Sequence, residues 1–150
     1  EPPPTILVHA EESHAPLLAR LATETFSDTF GTQCNSADLA SHIATSYNVD
    51  TLRREIASEH VYFLCLASDP RAVDPLGFCQ FHLARSPLLS SDDAADPCWS
   101  VHRFYLRRGA QGLGVAVPMM QFVLQRMREE RARTVWLFVH SENLRAKRFY

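Results

Sequence analysis

The chain has 150 residues, 46% of them hydrophobic and 21% charged, and a formal net charge of −2. That length fits one domain, residues 1–150, burying roughly two thirds of its unfolded surface. Nothing in the faintly acidic balance suggests a basic nucleic-acid face or a polybasic membrane patch, and it is compatible with a cationic substrate.

No apolar run reaches the roughly 20 residues of a membrane span, and no secretory signal pattern is present. A cytoplasmic protein is expected. The first residue is Glu1 rather than Met, as in a processed chain or a piece of a longer one. The cysteines, Cys34, Cys65, Cys79 and Cys98, form no Cys-x-x-Cys pair and have no histidine at metal-ligand spacing. They read as free buried thiols in a reducing compartment, with no metal.

In chain order, EPPP is an extended start and residues 5–10 (TILVHA) predict a strand. Residues 13–30 predict a helix. Leu17, Leu18, Leu21, Thr25 and Phe26 share one face, Pro16 sits harmlessly in the first turn, and Gly31 is the stop. Residues 35–48 predict a second helix capped by Asn35 or Ser36, and residues 50–59 a third capped by Asp50. The period then changes. Residues 61–68 (VYFLCLAS) and 76–85 (LGFCQFHLAR) predict strands split by a turn-forming segment, and 86–97 a polar surface loop. Residues 98–106 (CWSVHRFYL) predict a strand and about 114–131 a helix, with Ala116, Met119 or Met120, Val123 and Met127 at helical spacing. Residues 134–140 (TVWLFVH) predict a last strand, and 142–150 open a last helix. The order implies an α/β fold on a mixed sheet, with a parallel, right-handed βαβ unit at its C-terminal end.

The segment GAQGLG (109–114) stands between a strand and a helix. Gly109, Gly112 and Gly114 allow positive φ and close backbone approach, so successive N–H groups and the helix N-terminus can converge on an anion. Arg107 and Arg108 add cations at the strand exit. Neither the P-loop nor the dinucleotide-binding glycine pattern is present. By itself the turn is either a phosphate cradle or punctuation. Pro118 fits a helix starting at Gly114 or Val115, where proline is still in the first turn.

These residues resemble the GNAT superfamily of acetyl-coenzyme A dependent N-acetyltransferases. The family's turn, [Q/R]-x-x-G-x-[G/A], matches GAQGLG in its two later glycines, with Gly109 at the first position and Arg108 one residue early. HRFYL is similar to the family's fourth strand. Asn143, Ala146, Phe149 and Tyr150 match its N-x-x-A-x-x-F-Y helix. The first half, ATETFSDTFGTQCNS onward, resembles bacterial polyamine N-acetyltransferases. The link from Leu106 to Gly112 is about two residues shorter than usual, and the resemblance implies two further strands beyond Tyr150.

The resemblance implies a mostly antiparallel sheet flanked by helices, acetyl-coenzyme A as co-substrate, and a small-molecule amine as acceptor, with a polyamine as the narrower candidate. A homodimer stays open. Coenzyme contacts would come from Phe104, Tyr105, Leu106, Arg107, Arg108, Gly109, Gln111, Gly112, Leu113, Gly114 and Asn143, with a bulge and carbonyl-polarising N–H around 104–106. Tyr150 would protonate the thiolate. His102, His140 or Glu142 would deprotonate the amine, and Glu24 and Asp28 would attract a polyamine. A non-catalytic coenzyme A-binding or interaction module, and an enzyme for peptide N-termini or protein lysines, are the alternatives.

Overall fold

A computed structural model describes residues 4–58, 60–68, 74–83, 98–139 and 143–150. Five strands form one sheet in sequential order: β1 (Thr5–His9), β2 (Val61–Ala67), β3 (Gly77–Leu83), β4 (Cys98–Leu106) and β5 (Thr134–Trp136). β1 to β4 pair antiparallel, and β4 pairs with β5 in parallel. The helices are α1 (Ala15–Phe30), α2 (Ser36–Ser46), α3 (Val49–Ile56), α4 (Ala116–Glu129) and α5 (Leu144–Phe149). This is the mixed α/β sheet that the element order implies, with α4 as the crossover between the parallel strands.

Alternation along the strands sends side chains to two separate cores. Tyr62, Leu64 and Phe78 face Leu18, Leu21 and Leu52 of α1 and α3. Phe63, Cys65, Cys79, Phe81 and Val101 face Met119, Val123 and Met127 of α4. These α4 residues fall four apart, so one stripe is wholly buried while the opposite face stays wet. Each such side chain contributes about 1.5–3 kcal/mol by leaving water.

Four expectations need correction. The cap of α3 is Asn48, whose side chain accepts from Thr51 N at 2.8 Å; Asp50 lies inside the first turn. Cys34 is free but exposed, whereas Cys65, Cys79 and Cys98 are buried. Burial pushes the Cys65 thiol up to about 11 and the Cys79 thiol up to about 12, so both stay protonated and unreactive near neutral pH.

The other two corrections concern neighbouring stretches of β4 and β5. The bulge lies upstream of 104–106: β3 pairs Gln80 with Arg103 but Phe81 with Val101, leaving His102 as the extra residue. β5 ends at Trp136, where its pairing with β4 stops at Ser100↔Trp136, and residues 137–139 are not strand; the expected last position, 140, lies outside the described residues. Beyond that point no described strand covers the β5-side edge of β4. The polar loop expected at 86–97 lies outside the described residues.

Candidate active site

The uncovered edge of β4 forms one wall of a cavity of about 570 Å³. Arg107 N donates across to Leu76 O at 2.8 Å, toward β3. Backbone groups alternate along an antiparallel strand, so the N–H groups of Phe104 and Leu106 point the other way, into the gap. Gly77 makes the β3–β4 pairing close here: a Cβ on it would collide with the Tyr105 carbonyl oxygen.

The glycine turn forms the second wall. After a 3-10 turn at Arg108–Ala110, Gly112 and Gly114 take φ of +81° and +80°, the left-handed region that glycine enters without strain. Gly112, Gly114, Val115, Ala116 and Val117 all border the cavity, and the first turn of α4 has no acidic residue to oppose an anion. Ala116 starts the helix, so Pro118 is still in its first turn, as its chemistry requires.

The third wall is α5. Asn143 caps it, with Oδ1 accepting from Ala146 N at 3.1 Å, and Asn143, Arg145, Ala146, Phe149 and Tyr150 face the cavity. The Phe149 ring stacks on Phe104 at 5.7 Å, and Tyr150 sits edge-on to Phe104 at 6.5 Å. Desolvation beside these rings raises the Tyr150 hydroxyl above its usual range, so it holds its proton at neutral pH. Gln111 joins two walls: its Nε2 donates to Leu106 O at 3.1 Å, and its Oε1 accepts from Arg145 at 2.9 Å.

Of the residues expected in the site, Phe104, Tyr105, Leu106, Arg108, Gln111, Gly112, Gly114, Asn143 and Tyr150 are brought together here, with Asp28 at the rim. Arg107, Gly109, Leu113 and Glu24 do not line the cavity. Arg107 is turned away by Glu24, whose carboxylate it meets at 3.1 Å, and by Asp74 at 3.8 Å. Arg108 lies 3.6 Å from Asp28. The arginines expected on phosphate and the carboxylates expected on a polyamine therefore face each other. His102 stands on the bulge, outside the cavity lining, and desolvation together with Arg103 and His82 pushes its imidazole down to about 4 rather than leaving it near 6.5. His140 and Glu142 lie outside the described residues.

Sequence reasoning missed Thr29, Val115, Ala116, Val117, Arg145, Ala146 and Phe149 as cavity residues. Arg145 had a signal available: it sits two positions after the cap of a helix already assigned to the site.

The model of the acetyltransferase (GNAT) family matches residues 19–150. A curated relative, an uncharacterized N-acetyltransferase in the pepI 3' region of Lactobacillus delbrueckii subsp. lactis, is 30% identical over 149 residues, covering 96% of this chain and 80% of the relative. Among solved structures, the PaiA N-acetyltransferase of Thermoplasma acidophilum in complex with coenzyme A aligns with a TM-score of 0.79 at 15% identity, over 97% of this chain and 86% of that one. An aminoglycoside acetyltransferase from an uncultured soil metagenomic sample, in complex with sisomicin, aligns with a TM-score of 0.67 at 13% identity, over 97% and 84%. The chain belongs to the acetyltransferase (GNAT) family and is an acyltransferase of the N-acetyltransferase type. Among the described residues, no helix is long and apolar enough to cross a membrane, and no cluster of histidine, cysteine and carboxylate could hold a metal ion.

Proposed function

We propose that the protein transfers an acetyl group from acetyl-coenzyme A to a primary amine of a small molecule. The observation that carries this reading is the single cavity in which the open edge of β4, two left-handed glycines and the N-terminus of α4 converge. The residues fit the donor. An extended pantetheine arm carries amides that need partners, and the outward backbone of Phe104 and Leu106 offers them as a neighbouring strand would. A pyrophosphate suits the N–H groups of the Gly112–Val115 turn, aided by Arg108 and Arg145.

Acetyl-coenzyme A supplies the activated acyl group as a thioester. The protein's own groups do the rest. An outward β4 N–H near the bulge polarises the carbonyl in the manner of an oxyanion hole. Tyr150, held protonated, donates to the leaving sulfur. Tyr105 packs beside Phe78 at 5.8 Å.

A polyamine is the narrower acceptor reading. Asp28, a carboxylate at the cavity rim, supports it, while the pairing of Asp28 with Arg108 weakens the attraction. The described strands share one sheet, which supports one domain over residues 1–150. Free thiols support a cytoplasmic setting.

Calorimetric titration of acetyl-coenzyme A, followed by an amine screen, tests the proposal. Micromolar binding with acetylation of a small amine is expected. Binding without acetylation of any amine would instead favour a non-catalytic coenzyme A-binding module, and no binding at all would remove the cradle.

A further inference from the structure

One side chain in the donor cavity occupies the place of a ligand. Gln111 leaves the 3-10 turn with extended backbone, φ −72° and ψ 143°, and its N–H closes that turn on Arg108 O at 3.2 Å. Its half-buried carboxamide crosses from the open edge of β4 to α5. Nε2 donates to Leu106 O at 3.1 Å, and Oε1 accepts from Arg145 Nη1 at 2.9 Å. A backbone carbonyl only accepts and a guanidinium only donates, so these two partners fix which end of the amide is which.

Both partners are groups that the donor needs. In a strand the N–H and C=O of one residue point to the same side, so Leu106, whose N–H faces the gap, turns its carbonyl there as well. Leu106 ends β4, which makes this the outward carbonyl nearest the glycine turn. A pantetheine arm carries secondary amides, the same functional group as the Gln111 side chain, and an amide N–H laid along the edge competes for the same oxygen. Arg145 lines the cavity with the glycine turn, and a pyrophosphate there calls on the guanidinium that Gln111 holds. The other two arginines near the turn are held by carboxylates, Arg108 by Asp28 at 3.6 Å and Arg107 by Glu24 at 3.1 Å. The partner that Gln111 gives Arg145 is a neutral amide, which yields to a phosphate more readily than a carboxylate does.

We propose that Gln111 is a specificity-determining residue of the donor site: it stands in for a donor amide on Leu106 O and keeps Arg145 engaged until a ligand supplies both an amide-bearing arm and a phosphate. The inference rests on the coenzyme A reading above and states how that site selects its donor. An arm amide that takes Leu106 O frees Nε2, and the unanchored side chain then holds Arg145 by one end only. A phosphate that takes Arg145 frees Oε1 and loosens the hold on Leu106. Each half of the donor opens part of the bridge, so the second half meets a site already open. Such coupling is reciprocal. Pantetheine alone and nucleotide alone are poor ligands, and the intact coenzyme is a good one.

The test reads Kd by calorimetry for coenzyme A, pantetheine and adenosine 3′,5′-bisphosphate, in the wild type and in Gln111→Met, which keeps the side chain's length and removes both hydrogen bonds. In the wild type, saturating bisphosphate should tighten pantetheine about three- to tenfold, the worth of roughly one net hydrogen bond, and pantetheine should tighten the bisphosphate by the same factor. In Gln111→Met, pantetheine alone should bind tighter by a comparable factor, and the bisphosphate should no longer change it. The Gln111 side-chain amide signal in proton–nitrogen NMR spectra, identified by its loss in the variant, should move when pantetheine is added to the wild type. Weaker pantetheine binding in Gln111→Met would make Gln111 a contact that stays in place, and fragments that bind the wild type independently would mean that the bridge selects nothing. Either result would overturn the inference, while coenzyme A binding would leave the acetyltransferase reading standing. No coenzyme A binding by either protein would overturn both.

Discussion

Two residues separate binding from chemistry. Gly112 has φ of +81° and open space where a Cβ would go, so Gly112→Ala acts through backbone strain of roughly 1–2 kcal/mol rather than collision. Turning the N–H fan of the turn should weaken acetyl-coenzyme A binding about tenfold, read as Kd by calorimetry. Gly109 also meets nothing within 4 Å, but it lacks the positive φ and lies off the cavity, so Gly109→Ala should bind as the wild type does. Equal losses for both variants would mean that the turn's glycines matter only for flexibility. Tyr150→Phe keeps the ring against Phe104 and removes the proton donor. It should cut kcat about 10²-fold, as loss of a general acid does, with Kd for acetyl-coenzyme A unchanged. An unchanged kcat would take Tyr150 out of the mechanism. The sequence offered three glycines as equals. Only backbone conformation distinguishes them, and that follows from where the 3-10 turn ends.

Among the elements, what was legible was what local pattern dictates. The apolar stripe of α4 and the period-two strands were visible because burial on one face imposes those periods. The end of β5 was not, since residues 135–139 (VWLFV) are apolar without a break, and the pairing with β4 stops at Ser100↔Trp136, just short of the bulge at His102. Nothing in CWSVHRFYL marks the extra residue. The α3 cap was ambiguous for a different reason: NVD supplies two capping residues, and the choice depends on the chain direction leaving α2, where Asn48 also donates to Ala44 O at 2.8 Å. Asn48→Ala should therefore cost about 1 kcal/mol in urea unfolding, clearly more than Asp50→Ala, which loses only a first-turn charge. The reverse order would restore Asp50 as the cap.

At the scale of the whole molecule, the sheet separates two chemistries. The α4 side is a dry core with the donor cavity at its edge. The opposite side carries Arg103, Glu55, Tyr62 and the histidines, which tie α3, β2, β3 and β4 to the bulge. This division could not be read from the sequence, because the members of the polar group are scattered from Tyr47 to Arg103 and converge only through strand register. It has a consequence for acid stability. The folded state holds His102 down to about 4, whereas the unfolded chain takes up that proton near 6.5. Between those values the unfolded state binds more protons, so stability rises with pH across the window and is lost as pH falls through it. His102 is itself exposed, so solvent screening trims the effect. Urea unfolding at pH 4.5 and pH 7.5 should show a smaller loss of stability on acidification in His102→Gln than in the wild type, because glutamine takes up no proton in either state. Equal losses would show that the folded protein accommodates the charged imidazole beside Arg103.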